Sequence, residues 1–343
     1  MKPIIYDYNI DEISRKIVDL GEKKYRAKQV FDAIFPCGVN SVYDIKNIPQ
    51  NLQIKLDEEF EFAAAKIVKT NVSAIDKSVK FALKLLDGSI IESVVLYAKD
   101  RRTLCLSSQV GCALGCAFCE TAKMGFKRNL SSGEILYQLI AANNYLKSFG
   151  EKVTNIVFMG MGEALGNFDN FEKAFYAIHD PKTFGIGARK ITVSTAGVIP
   201  NIKKLMERKI PIDLAVSLNA SSDEERNEIM PINRKYPISQ IMEISKEYAK
   251  EGDRKVMFEY VMISGKNDGE NDAKQLVKLL KNVPCKLNLI PLNDCANDFV
   301  CPSQERIDAF SKIIYDAGIR VTVRKSAGGD IGGACGQLAG NLT

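Results

Sequence analysis

The sequence predicts an α/β fold, a parallel sheet joined by crossover helices, preceded by a small helical domain and a β extension. Three observations carry that prediction. From residue 101 onward, short β-branched runs alternate with amphipathic stretches, the pattern of parallel strands linked through helices. Several of those runs lead into turns containing Gly, Ser or Asn, the places where parallel barrels gather their active-site residues. Before residue 62 the apolar residues follow helical spacing alone.

In chain order, Ile10, Ile13, Ile17 and Leu20 mark a first helix that stops at Gly21. Val30, Phe31, Ile34 and Phe35 mark a second, ended by Pro36, and Leu52, Leu56 and Phe60 a third after Pro49. Together they predict a small helical accessory domain over residues 1–64. Residues 65–98 read as a β extension or linker, because Lys80–Leu86 and Ile90–Leu96 flank Asp87-Gly88, a two-residue hairpin signal. The remaining residues, 99–343, form the main domain. Its strands are Thr103–Ser107, Asn155–Met159, Lys190–Thr195, Asp213–Leu218, Lys255–Val261, Lys286–Ile290 and Arg320–Arg324. Its helices include Gly133–Leu146, Asp169–His179, Ile238–Lys250, Asn271–Lys281 and Gln304–Asp316, with an irregular loop at Leu292–Cys301.

Composition narrows the class of function. With 46% hydrophobic and 26% charged residues over 343 positions, the chain is ordinary globular material. It has no apolar run of about 18 residues, so no membrane span is expected. The opening MKPIIYDYNIDEISRK mixes acids and bases where a signal peptide needs an apolar core, which predicts a cytoplasmic address. Nine cysteines, an odd number, then speak for metal or catalytic use rather than a disulfide framework. The single histidine, His179, excludes most His-dependent triads and zincin motifs and reads as structural. The net charge of +5 is mild. Between Lys99 and Arg128, however, six basic residues stand against Asp100 and Glu120, either a solvated face or the approach of an anionic substrate.

The densest chemical signal is Cys112-Ala-Leu-Gly-Cys116-Ala-Phe-Cys119, directly after the first main-domain strand. Gly111 and Gly115 allow a tight loop that turns three sulfurs one way. Four thiolates close an iron–sulfur centre, and no fourth cysteine or histidine lies nearby. Three ligands would leave one iron open to a substrate, as an open position separates catalytic from structural zinc. A structural zinc site would need the missing ligand. The motif therefore predicts a [4Fe–4S] cluster held by Cys112, Cys116 and Cys119.

The CxxxCxxC motif at the head of a β/α barrel resembles the radical S-adenosylmethionine (SAM) superfamily. The resemblance implies a partial (β/α)6-type barrel with a C-terminal extension, in which the open iron binds SAM and the reduced cluster cleaves it to a 5′-deoxyadenosyl radical. It implies SAM contacts at Gly162 and Glu163 in Met159-Gly-Met-Gly-Glu163, at Ser194, at Ser217, Leu218 and Asn219, and at Asn293. Taken singly, each of these is more often a turn residue. Thr103-Leu-Cys-Leu-Ser-Ser-Gln-Val-Gly-Cys112, Met230–Ile238 and Ala334-Cys-Gly-Gln-Leu-Ala-Gly340 further resemble the RlmN/Cfr family of RNA adenine methyltransferases, over the whole chain.

That family resemblance implies two SAM molecules per turnover. SAM delivers methyl as an electrophile and an adenine ring carbon is itself electrophilic, so direct transfer fails. Cys335 matches the cysteine that first takes a methyl group; a radical formed on that methyl adds to the base. Cys105 matches the cysteine that then releases methyladenine through a transient Cys105–Cys335 disulfide. Glu92 matches the proposed proton acceptor. The implied partners are 23S rRNA at the peptidyl-transferase centre, tRNA beside the anticodon, and an external one-electron donor. Arg324-Lys-Ser-Ala, Gly336–Gly340 and Cys285–Pro291 favour the branch that methylates C2, whereas Met161-Gly-Glu-Ala164 leans towards the C8 branch. A cluster-bearing RNA-binding protein without catalysis is the alternative from another class. Two departures from the family pattern stand out: Gly332-Gly333 before Cys335, which predicts a looser loop, and Asn219 where histidine is common. Cys37, Cys285, Cys295 and Cys301 read as structural.

Overall fold

The computed structural model describes residues 2–35, 38–252, 254–293 and 299–340; Cys37 and Cys295 lie outside them. Helices α1 (Ile10–Asp19), α2 (Tyr25–Ile34) and α3 (Gln50–Glu59) form the expected N-terminal helical unit. A capping box starts α1: the Asn9 side chain accepts from the Asp11 and Glu12 amides, and Glu12 returns the bond to the Asn9 amide.

The chain then runs through β1 (Ala65–Val72), β2 (Val79–Leu85), β3 (Ile90–Ala98) and β4 (Arg101–Cys105). A small pair, β5 (Gln109–Gly111) and β6 (Phe126–Asn129), brackets α4 (Glu120–Lys123). After α5 (Ser132–Lys147) follow β7 (Asn155–Phe158), α6 (Phe168–His179), β8 (Ile191–Thr195) and α7 (Ile199–Glu207). The remaining elements are β9 (Asp213–Ser217), α8 (Asp223–Ile229), α9 (Ile238–Gly252), β10 (Val256–Met262), α10 (Glu270–Leu280), β11 (Cys285–Pro291), α11 (Gln304–Asp316) and β12 (Val321–Val323). Ten strands make one sheet in the order β1-β2-β3-β4-β7-β8-β9-β10-β11-β12. From β4 to β12 every pairing is parallel, with helices in the crossovers, whereas β1 to β4 pair antiparallel. Among the described residues β1 and β12 are the two edges, so the curved sheet stays open.

Local chemistry explains the departures from expectation. The first main-domain strand runs Arg101–Cys105 rather than Thr103–Ser107. Arg101 already pairs with Ala98 across the turn, while the Ser107 amide donates to the Gln138 side chain instead of a strand neighbour. The Asp87-Gly88 turn closes a three-residue loop, not a two-residue one. Leu85 exchanges bonds with Gly88 and Ser89, and Gly88 takes a left-handed φ of 84°. The hairpin it closes is part of the main sheet, since β3 pairs with β4.

α5 is the element that joins the parts. Twelve of its 16 residues are buried, too many for a helix with one free face. One side meets the sheet and the other meets the N-terminal unit. There Asp7 accepts from the Ser132 hydroxyl (2.7 Å) and the Gly133 amide (2.6 Å), at the positive end of the helix. Tyr137 and Asn144 reach across to Asn40 and Gly38. His179 has the structural role expected of it: its ring stacks on Phe175 and its Nδ1 lies 3.1 Å from the Ile186 carbonyl oxygen.

Gly111 shows how tightly the site loop is folded. Its φ is +74°, and a Cβ there would overlap the Gly125 carbonyl oxygen. Gly150 has a similar φ of +70° with open space around it. Gly150→Ala should therefore cost about 1 kcal/mol, the penalty of the left-handed conformation alone. Gly111→Ala should cost roughly 3 kcal/mol or more. Urea denaturation midpoints of the two variants check this, and equal losses would refute the steric argument.

Candidate active site at the open end of the sheet

The C-terminal ends of the parallel strands surround a cavity of about 940 Å³ counted out to its open mouth. Cys112, Cys116 and Cys119 line one side of it. Their loop is pinned at both ends: the Cys112 amide donates to the Gly125 carbonyl at 3.1 Å, and the Ala117 amide to that of Ile229 at 2.9 Å. Burial pushes the Cys112 thiol up to about 11. Cys116 is raised further, by burial first and then by its neighbours Cys119 and Cys112. Such thiols ionise when a cationic group arrives to coordinate them. The three neighbouring thiols line one cavity, a donor set of the kind that holds an iron–sulfur cluster.

The expected cradle residues come together across the cavity. Gly162, Glu163, Ser194, Ser217, Asn219 and Asn293 all line it. Gly162 has a φ of +94°, and a Cβ there would strike the Gln109 side chain, whose Oε1 accepts from the Glu163 amide at 2.9 Å. The Glu163 carboxylate is buried and accepts from the Ala196 amide (2.8 Å) and the Leu165 amide (3.1 Å). Burial pushes its acid up to about 7 against these bonds. Ser194 lies 3.4 Å from Ser217, oxygen to oxygen. Asn219 takes a φ of +58°, which asparagine tolerates, and its Oδ1 accepts from the Val261 amide at 2.9 Å. Its side chain is thus tied to the neighbouring strand end. Leu218 is buried behind the wall and contributes a backbone carbonyl to Arg226 rather than a cavity surface.

Asn293 points its amide at the C-terminal tail, donating to the Cys335 carbonyl at 2.9 Å. That tail is stitched to the rest of the site. The Glu120 amide donates to the Gly336 carbonyl (2.8 Å) and the Thr121 hydroxyl to the Leu338 carbonyl (2.6 Å). Glu92, expected as a proton acceptor, has both carboxylate oxygens engaged: Oε1 lies 3.0 Å from Lys80 Nζ, and Oε2 accepts from the Ala339 (2.8 Å) and Gly340 (3.2 Å) amides. The Gly332-Gly333 segment is likewise held rather than loose, since the Gly332 carbonyl accepts from Lys80 and the Gly333 amide donates to Gly328. Cys335 lines the large cavity and also a small second one, whose walls include Cys105. Burial, then the neighbouring Cys335, pushes the Cys105 thiol up to about 12.

Three residues of the site escape a sequence reading. Glu259 in the middle of β10 lines the cavity, 6% exposed, with Oε2 accepting from Ser194 at 3.0 Å. A lone acid inside the apolar run Val256–Met262 was its signal. Arg324, after β12, lines the small cavity. Arg226 is fully buried and donates to the Leu218, Ser217 and Ala196 carbonyls and to Asn233 Oδ1, holding the ends of β8 and β9 together. In the charged run Asp223–Ile229 nothing marks it out.

Comparison with known proteins agrees with this geometry. Residues 106–279 match the radical SAM superfamily, and residues 5–62 match the ribosomal RNA large subunit methyltransferase N-terminal domain. The chain is 41% identical to the dual-specificity RNA methyltransferase RlmN of Syntrophobacter fumaroxidans, covering 98% of each chain. It is also 41% identical to a probable dual-specificity RNA methyltransferase RlmN of Pseudothermotoga lettingae, covering 97% of this chain and 96% of that one. The crystal structure of a radical SAM methyltransferase from Sphaerobacter thermophilus superposes with a TM-score of 0.96 at 38% identity, covering 99% of this chain and all of the other. The chain therefore belongs to the RlmN family of radical SAM RNA methyltransferases, a family whose chemistry draws on a [4Fe–4S] cluster and SAM.

Proposed function

We propose that the protein methylates C2 of an adenine in 23S rRNA, at the peptidyl-transferase centre, and in tRNA, 3′ of the anticodon, in the cytoplasm. The observation that carries the reading is the position of Cys335. It borders the cavity of the three clustered cysteines on one side and the cavity of Cys105 on the other. A sulfur so placed can take a methyl group from SAM in the first cavity and meet a second thiol in the other.

In this reading Cys112, Cys116 and Cys119 hold the cluster. When bound, cluster and SAM together supply a carbon-centred radical, fed by an external electron donor. Glu163, Ser194 and Ser217 orient SAM, and Asn293 acts on the Cys335 backbone. Cys335 carries the methyl group that becomes the new substituent, and two SAM molecules are used per turnover. Cys105 then attacks the Cys335 sulfur, giving the product and a transient disulfide. Glu92 holds the tail through Ala339 and Gly340 in the present conformation; to accept a proton it would first release those amides. The helical domain, residues 1–64, and the basic window from Lys99 to Arg128 would grip RNA by shape and phosphates, with the target base extruded into the cavity.

Mass spectrometry of rRNA from a methylase-deficient strain, treated anaerobically with the loaded enzyme, should place the methyl group on adenine C2; a C8 product would overturn this reading in favour of the other branch. Cys335→Ala should lower methylation by at least a thousandfold with cluster absorbance unchanged. Cys105→Ala should instead accumulate protein covalently bound to RNA, visible as a shifted band on a denaturing gel. Full turnover in both variants would mean that the cluster acts without these thiols.

A further inference from the structure

Among the described residues, one charged side chain, Arg324, lines the small cavity shared by Cys105 and Cys335. Its backbone amide donates to the Leu289 carbonyl at 2.8 Å, which fixes its stem against β11. It borders that cavity together with both thiols, and the charge of Cys335 first, then that of Glu259 and Cys105, favours its cationic form. Glu259 supplies an opposing charge from the large cavity, with one carboxylate oxygen on Ser194 and the other without a hydrogen-bond partner among the described residues. Two thiols, Cys105 buried and Cys335 partly so, that must each act as a nucleophile thus share one cation among the described residues around that cavity. A thiolate in such a place needs that charge beside it.

The sharing has a consequence if Cys335 is methylated as proposed above, on which this inference rests. A methyl thioether is neutral and has no proton to exchange, so methylation of Cys335 removes its pull on the guanidinium. Cys105 is then the remaining thiol beside Arg324. We propose that Arg324 is a positioning residue that pairs with the Cys335 sulfur before methyl transfer and with the Cys105 sulfur afterwards, activating the two thiols in sequence.

In the first step the Cys335 sulfur bonds to the methyl carbon as the methyl–sulfonium bond breaks. That electron pair leaves on S-adenosylhomocysteine, and the thiol proton leaves through the open cavity mouth. In the last step the Cys105 sulfur bonds to the Cys335 sulfur as the bond from Cys335 to the adenine-linked carbon breaks. The electron pair goes to that carbon, which takes up a proton to become the methyl group. The cation is needed where each thiolate forms, and the methyl group itself determines which thiol has it.

The test uses full-length enzyme loaded anaerobically with iron and sulfide, as wild type, Arg324→Gln, Arg324→Met and Arg324→Lys. Cluster absorbance certifies each variant as folded. Peptide mass spectrometry then reads the rate at which Cys335 gains a methyl group, and a denaturing gel reads covalent adduct with rRNA. The glutamine and methionine variants should methylate Cys335 at least tenfold more slowly, with KM for SAM within about twofold. The fraction that is methylated should stall on RNA as adduct, and lysine should restore part of both functions. Wild-type methyl uptake in either uncharged variant, or turnover there without adduct, overturns the assignment. A wild-type enzyme that never methylates Cys335 overturns the parent reading instead, and is recognised because it fails before any substitution is made.

Discussion

Where the backbone hydrogen bonds of one short tail go is the constraint on which the site depends. Residues 334–340 belong to no strand or helix, so beyond one internal turn between Ala334 and Gln337 their amides and carbonyls need partners from elsewhere. Those partners come from three separated parts of the chain: Glu120 and Thr121 beside the clustered cysteines, Asn293 after β11, and Glu92 on β3. Each bond is modest alone, about 1 kcal/mol net. Collectively they hold the tail against the open end of the sheet and set the Cys335 sulfur at the junction of two cavities.

Burial is the second theme. The thiols of Cys105, Cys112 and Cys116 and the acid of Glu163 are all raised, with desolvation as the largest cause. Left to themselves these groups favour their neutral forms. In the function proposed above each would meet a positive group that changes this: iron at the three-cysteine loop, the SAM amino group at Glu163, and Arg324 at Cys105 and Cys335. Arg226, buried among neutral oxygens, lends its charge to Cys116 while keeping the strand ends together.

Much of this was legible beforehand, and the reasons differ by residue. The α/β alternation, the main strands to within a residue or two, and α11 at Gln304–Asp316 followed from periodicity, because hydrophobic spacing reports a buried face directly. The β5–β6 pair did not, since a three-residue strand has no periodicity and this one exists to pinch the cysteine loop. Asn219 and Asn293 were expected to face SAM. Both border the cavity, yet Asn219 bonds the Val261 amide and the Met230 sulfur and Asn293 the Cys335 carbonyl, a choice that depends on neighbours distant in sequence. Arg226 and Arg324 look like surface charges in their own segments; the fold buries the first and turns the second into the small cavity.

The sequence by itself determined the chemistry on offer: three thiols in one loop, two more in matching motifs, and a sheet whose strand ends would collect them. Residue type and local spacing suffice for that, because helix and strand periods and the reach of a short loop are local properties. Only the tertiary structure decided that Cys335 borders both cavities, and that Cys105 and Arg324 border the smaller one with it. Those are matters of burial and of contacts between β3, β4, β12 and the tail, and the proximity of segments more than 200 residues apart is a product of packing.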